Sequence, residues 1–219
     1  MRRGKLEGSR PGKRTSRPTE TRPENGVVLG LKPRTGRAAV VAIAGPVDAP
    51  RILFKTRIDV ATTFEEGAVF HVAQALPLKE ARTRVEASER RFIERARVEL
   101  AKIQRQLGAP LVTAGLVAGK PKPLPALESI LKAHPLVHAA EGALYRRVFA
   151  AACSKLCATP PFSFPQEKLV MGLATALAIA PEVLLARLAA MGKASGRPWA
   201  QEQKQATLAA WMALAAVSN

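Results

Sequence analysis

One long amphipathic stretch, followed by an uncharged run, constrains this chain more than any other feature. From Leu78 to Leu107, apolar side chains recur at helical spacing, at Val85, Phe92, Ala96, Leu100, Ile103 and Leu107. Such a stripe faces a core while the rest of the helix stays wet. The wet face carries nine basic and five acidic residues between Lys79 and Arg105, with neighbours such as Glu86 and Arg90 at ion-pair spacing. Residues 111–117 hold no charge, the pattern of a strand buried on both faces. A helix returning from one strand to such another places the two strands parallel in one sheet. The class is therefore α/β.

Upstream of the helix, three short runs read as strands. Residues 27–31 are apolar, and residues 32–37 form a turn punctuated by Pro33 and Gly36. Residues 38–44 are a second apolar run, stopped by Gly45 and Pro46. Residues 51–60 alternate, with Ile52, Phe54, Thr56 and Ile58 on one face and Lys55, Arg57 and Asp59 on the other, as on a sheet edge. Short turns make these three an antiparallel meander. Residues 61–78 fit no single period.

Downstream, residues 120–125 form a stiff, basic, proline-rich loop. Helices are expected near 126–133 and 136–157, since Pro135 suits a helix start and disfavours helical backbone at His134. Residues 159–165, with Phe162 and Phe164, suit a short edge strand. Helices are expected over 167–179 and 181–191, a loop over 192–198, and a closing helix over 199–216 with Leu208, Trp211, Met212 and Ala215 inward. Residues 1–25, with eight basic and three acidic residues, read as a disordered basic tail; residues 26–219 read as a single domain.

The formal charge of +17 and the pI near 10.9 favour an anionic partner, and most of that charge lies outside the tail. No run of 18 apolar residues occurs; the nearest, 169–191, is broken by Pro181, Glu182 and Arg187, so no membrane partner is expected. The basic N-terminus leads into no apolar stretch, and Cys153 and Cys157 sit at a spacing that suits a disulfide poorly. A reducing, cytoplasmic location follows as an expectation. No nucleophile elbow, P-loop or dinucleotide-binding glycine pattern is present.

The order of these segments resembles the ribonuclease-H-like fold, and within it the RuvC branch of Holliday-junction resolvases. Four patterns carry the resemblance: VVLGLKPRTGRAAVVAI is similar to the first hairpin, LVTAGLVAG to the central strand, PPFSFPQEKLVMGLA to the proline-and-lysine stretch, and EQKQATLAAWMALA to the closing helix. The chain is also similar to a group of uncharacterised bacterial proteins. The resemblance implies a mixed sheet, three antiparallel strands plus parallel ones, flanked by helices. It also implies a carboxylate at the end of the first strand, another at the end of the central strand, and one or two opening the last helix. Those acids hold two magnesium ions about 4 Å apart that stabilise the attacking and leaving oxygens.

This chain departs from that pattern at each place. It has only two aspartates, Asp48 and Asp59, and neither lies at these positions. Lys32 stands at the first, Gly119 and Lys120 at the second, and Gln205 beside Lys204 at the third. An ammonium repels metal ions, and a neutral amide is a weak ligand. The reading is therefore of an enzyme fold without its two-metal chemistry. Lys32, Arg34, Arg37, Lys120, Lys122, Arg197 and Lys204 are the candidates to converge at the carboxyl ends of the strands and meet phosphates directly. The ordinary alternative is that these are scattered surface charges.

A second constellation lies in HPLVHAAEGALYRR. His138, Glu141 and Tyr145 share a helix face, with His134 one turn earlier. Two imidazoles and a carboxylate can hold a transition metal, or Glu141 and His138 can serve as base and acid. The ordinary alternative has His134 capping the helix and Glu141 paired with Arg146 or Arg147. Three functions follow. The first is a non-catalytic protein that binds DNA or RNA mainly through phosphates and needs no cofactor. The second is a metal-dependent hydrolase or nuclease using His134, His138 and Glu141. The third is a scaffold for an acidic partner protein.

Overall fold

A computed structural model of the protein describes residues 26–119 and 123–218. The expected tail over 1–25, and Lys120 and Lys122, lie outside the described residues. The first three strands are β1 (Val27–Arg34), β2 (Arg37–Ala44) and β3 (Arg51–Asp59), each antiparallel to the next. Pairing runs to Arg34 against Arg37, so the first turn is only Thr35 and Gly36, with Gly36 at φ 71°. Lys32 and Pro33, expected in the turn, are therefore strand residues. Pro33 is tolerated because pairing with the next strand on that side has ended by Leu31.

Two short helices, α1 (Phe64–Gly67) and α2 (Val69–Ala73), fill the stretch that fitted no period. The helix α3 (Leu78–Leu107) has the expected bounds, and Gly108 closes it in the left-handed conformation at φ 61°. It leads to β4 (Leu111–Ala118), which pairs parallel with β1. Then come α4 (Leu127–Lys132), α5 (His134–Ser154) and β5 (Phe162–Pro165), which pairs parallel with β4. After a short 3-10 turn over Gln166–Lys168 follow α6 (Leu169–Ala176), α7 (Pro181–Ser195) and α8 (Gln201–Ser218). The sheet order is β3-β2-β1-β4-β5. This is the mixed, helix-flanked sheet of the ribonuclease-H-like fold. Among the described residues no single helix is long and apolar enough to cross a membrane; the pair Gln166–Ala176 and Pro181–Ser195 is so only when taken together, and it is bent by 104°.

Strand alternation divides the core in two. Val27, Leu29 and Leu31 of β1 pack with Phe92, Ala96 and Leu100 of α3 and with Leu144, Val148 and Phe149 of α5. Val28 and Val41 face the other way, toward Leu169 and Leu173 of α6, Leu184 of α7 and Ala209, Ala210 and Trp211 of α8. The edge strand departs from its expected single face. Ile43 pairs with Ile52 but Ala42 pairs with Phe54, so Leu53 is an extra residue, and Ile52 and Phe54 join opposite clusters. The expected loop over 192–198 begins only after Ser195, because Gly192 is a buried helix residue against which the Trp199 ring lies.

The closing helix sets the fold's depth. Gly30 of β1 is the register partner of Gly115 of β4. A Cβ on Gly30 would lie 1.8 Å from the Ala206 carbonyl oxygen, and one on Gly115 would lie 2.0 Å from that of Ala209. The paired glycines thus leave a trough in which α8 rests, backbone to backbone. Its residues from Gln205 to Trp211 are all buried, and the Trp211 indole donates to the Val47 carbonyl at 2.6 Å. Filling the trough has a predictable cost. Gly30→Ala or Gly115→Ala should lower unfolding free energy by about 2–3 kcal/mol or more in denaturant titrations, since backbone on both sides has to move.

Candidate functional site

Seated this way, α8 brings its first turns to the carboxyl ends of β1, β4 and β5. Lys32 points to the α8 side of β1 and is only 7% exposed; its ammonium donates to Gln166 Oε1, just past β5, at 2.6 Å. Burial lowers the Lys32 pKa, and Arg34 and Arg146 lower it further while Glu202 pulls the other way. Glu202 stands in the first turn of α8. Its carboxylate accepts from Arg34 Nε at 3.0 Å and from Arg37 Nη1 at 2.9 Å. Burial works against its charge, but the hydrogen bonds from Arg37 and Arg34 outweigh that and hold its pKa below the usual glutamate value. One turn on, Gln205 is also 7% exposed, and its Oε1 is buried with no hydrogen-bond partner among the described residues.

A cation from the opposite layer joins this group. Arg146 of α5 is half-buried, and its Nη1 would lie 3.7 Å from a Cβ on Gly119, at the end of β4. Burial lowers its pKa, and neighbouring Arg147 adds to that. The pairing of Glu141 with Arg146 or Arg147 is not formed. Arg147 instead clasps Glu89 of α3 through two hydrogen bonds, at 2.8 and 2.9 Å.

The structure therefore sorts the expected basic set. Lys32, Arg34, Arg37 and Lys204 reach one end of the sheet, with Lys204 half-buried in the first turn of α8. Arg34 and Arg37 are engaged by Glu202. Arg197 is exposed on the loop between α7 and α8, and Lys55 of β3 fastens that loop by donating to Ser195 Oγ at 3.0 Å and to the Gly196 carbonyl. It thus sits over the β3 edge. Arg146 and Glu202 escaped the sequence reading. Arg146 lies on a helix facing the other layer, and Glu202 lies one turn before the position expected to carry acid.

The donor set does not fit a pair of magnesium ions. That pair requires several anionic oxygens. Here the first position is an ammonium, the third an amide, and the carboxylate of Glu202 is held between two guanidinium groups.

A separate cluster stands on α2 and the start of α5. His134 and His138 have their Nε2 atoms 3.0 Å apart. His71 of α2 completes the group, with its ring centroid 5.4 Å from that of His134 and 4.8 Å from that of His138. These are the chain's three histidines. Glu141, 3% exposed, does not join them as a fourth neighbour; its Oε1 accepts from His71 Nδ1 at 2.9 Å and from the His71 backbone N–H at 3.4 Å. His134 carries no cap, since the helix N-terminus has no side-chain capping bond. Tyr145, buried one turn further, donates to the Gly67 carbonyl at 2.7 Å and so pins the junction that leads into α2. Sequence spacing gave two of the three imidazoles and had no means of supplying His71.

These features give the ribonuclease-H-like fold, with Lys32 and Gln205 nearly buried at the strand ends. The fold is that of RuvC. A solved structure of T. thermophilus RuvC in complex with a Holliday junction substrate superposes with a TM-score of 0.51 at 13% identity, covering 89% of this chain and 96% of that one. A second Thermus thermophilus RuvC structure gives a TM-score of 0.49 at 12% identity, covering 88% and 96%. No protein-family model and no curated protein matches the sequence.

The Glu202 cluster yields a pH prediction. Its depressed folded-state pKa contributes stability that is fully present above the unfolded glutamate value of about 4.3 and is lost as pH falls through the lower folded value. Stability measured from pH 7 to pH 3 should therefore drop more steeply in the wild type than in Glu202→Gln below about pH 4.3, with the variant already weaker at pH 7.

Proposed function

We propose that this protein binds nucleic acid through phosphate contacts at the carboxyl ends of its strands and does not cleave it by the two-metal route. The observation that carries the reading is Lys32. It is nearly buried, among the described residues it has only an amide for a hydrogen-bond partner, and Arg146 approaches from the opposite helix layer. A buried ammonium with no carboxylate partner among the described residues costs folding free energy, and an anionic ligand at the strand ends would offset that cost. Oxygens of a phosphodiester are suitable acceptors for an ammonium and a guanidinium together. The formal charge of +17 adds long-range attraction. The RuvC structure that shares the fold was solved with a Holliday junction substrate, which supports a nucleic-acid ligand here. The chain's single tyrosine is buried, so the reading favours phosphate contacts over base stacking.

Two measurements test this. Affinity for four-way junction, duplex and single-stranded DNA and for RNA should fall steeply with salt, by about 10³-fold or more from 50 to 200 mM if six or more phosphates are met. Negligible binding to all four at low salt would sink the reading. Magnesium-dependent cleavage abolished by Glu202→Gln would also sink it. In parallel, Lys32→Met should hold or gain stability, because it removes a buried charge and leaves exposed Gln166 to water, yet it should weaken binding at least about tenfold. Loss of stability together with full binding would show Lys32 to be structural. Removal of residues 1–25 separates attraction by the basic tail from contacts at the strand ends.

A further inference from the structure

We infer that His71, His134 and His138 form a binding site for one late first-row divalent metal ion, zinc foremost, oriented by Glu141. The inference is independent of nucleic-acid binding. The chain's three histidines, drawn from α2 and from the first two turns of α5, place one nitrogen each within 4.8 Å of one another. In a tetrahedral zinc site with Zn–N near 2.0–2.1 Å, ligand nitrogens lie about 3.3–3.4 Å apart. The 3.0 Å between His134 and His138 and the 4.8 Å outer limit bracket that spacing, so small ring rotations close the site. His134 and His138 are exposed and rotate without disturbing the core.

The supporting arrangement is what distinguishes this from a chance group of imidazoles. Buried Glu141 accepts from His71 Nδ1, which fixes the tautomer and leaves Nε2 as the free ligand atom. The same carboxylate supplies negative charge beside a site in a strongly basic chain. Tyr145, one turn along α5, holds Gly67 and thereby sets where α2, and His71 with it, stands against α5. Three imidazoles with no fourth ligand among the described residues leave a coordination position for water or an anionic oxygen. The alternative for His134 and His138 is a direct hydrogen bond between neutral rings, which needs no third histidine and no carboxylate on it.

The test uses the full chain purified without a polyhistidine tag, stripped with a chelator and titrated with zinc in competition with a chromophoric chelator. One zinc per chain is expected, with at least tenfold loss of affinity in His71→Ala and in His138→Ala. Glu141→Gln should keep the stoichiometry and weaken binding about 10–100-fold. His138 is exposed, so its replacement reports on the metal and not on folding, and circular dichroism of each variant verifies that. Failure of the wild type to hold zinc against the chelator overturns the site. Unchanged zinc binding in His138→Ala does so as well. Normal affinity in Glu141→Gln overturns its orienting role. None of these outcomes bears on the nucleic-acid measurements, which use protein stripped of zinc.

Discussion

The backbone contact between α8 and the paired glycines of β1 and β4 is the constraint on which the functional end of this molecule depends. A helix seated on ordinary side chains stands about 10 Å from a sheet. Here Gly30 and Gly115 remove the side chains that would hold it off, and the carbonyls of Ala206 and Ala209 occupy the space. This depth is what turns Lys32 into a nearly buried residue, since it follows Gly30 on the same face of β1 and so lies against the first turns of α8. It also brings Glu202 within reach of Arg34 and Arg37 on either side of the β1–β2 turn. The charge arrangement at the strand ends is thus a consequence of packing several residues away.

That arrangement carries more cation than anion. Glu202 is balanced by two guanidinium groups, while among the described residues Lys32 and Arg146 meet no carboxylate in an ion pair. Burial lowers the Lys32 pKa first, and Arg34 and Arg146 lower it further against the opposing pull of Glu202, since charges interact more strongly in a partly buried place than on an open surface. An arrangement that raises its own electrostatic energy is stabilised by an anion and destabilised by a metal ion. The excess of cations among the described residues at these strand ends opposes the entry of further positive charge, which is the physical content of the poor fit to a magnesium pair.

Much of the fold was legible because it rests on local periodicity. The bounds of α3 follow from a 3.6-residue stripe, β4 from an uncharged run, and the meander from turn residues. Three features were not legible, each for a physical reason. The β3 bulge depends on pairing with β2, which no property of β3 alone dictates. Gly192 has the sequence signature of a helix stop but serves close approach of Trp199, a contact between residues seven apart through a bend. The strand character of Lys32 reflects a hairpin tighter than the proline and glycine suggested. Site residues divide the same way. Lys32, Gln205, His134 and His138 were found because a segment pattern or helix spacing marks them. Arg146, Glu202 and His71 belong to elements that only tertiary packing brings alongside, and sequence separation hides them.

α5 is the element that both constellations share, and its anchoring explains how. Its C-terminal end returns to the start of β4, where Ala158 and Thr159 donate backbone N–H groups to the Leu111 and Val112 carbonyls. The helix therefore runs against the strand direction, and its N-terminal turns overhang the strand ends. Arg146 sits at the level of Gly119, while His138 lies eight residues earlier, about 12 Å along the axis at 1.5 Å per residue. Around and just beyond this span the helix is fixed on successive turns. Leu144 and Val148 enter the core, Phe92 stacks on Tyr145 at 5.7 Å, Tyr145 holds Gly67, and Arg147 grips Glu89. Restraints on three faces leave the helix no freedom to roll, so the positions of Arg146 and of the histidine pair are set together. Packing thus fixes the backbone that carries Arg146 and the histidine pair, while the exposed rings of His134 and His138 keep their rotational freedom.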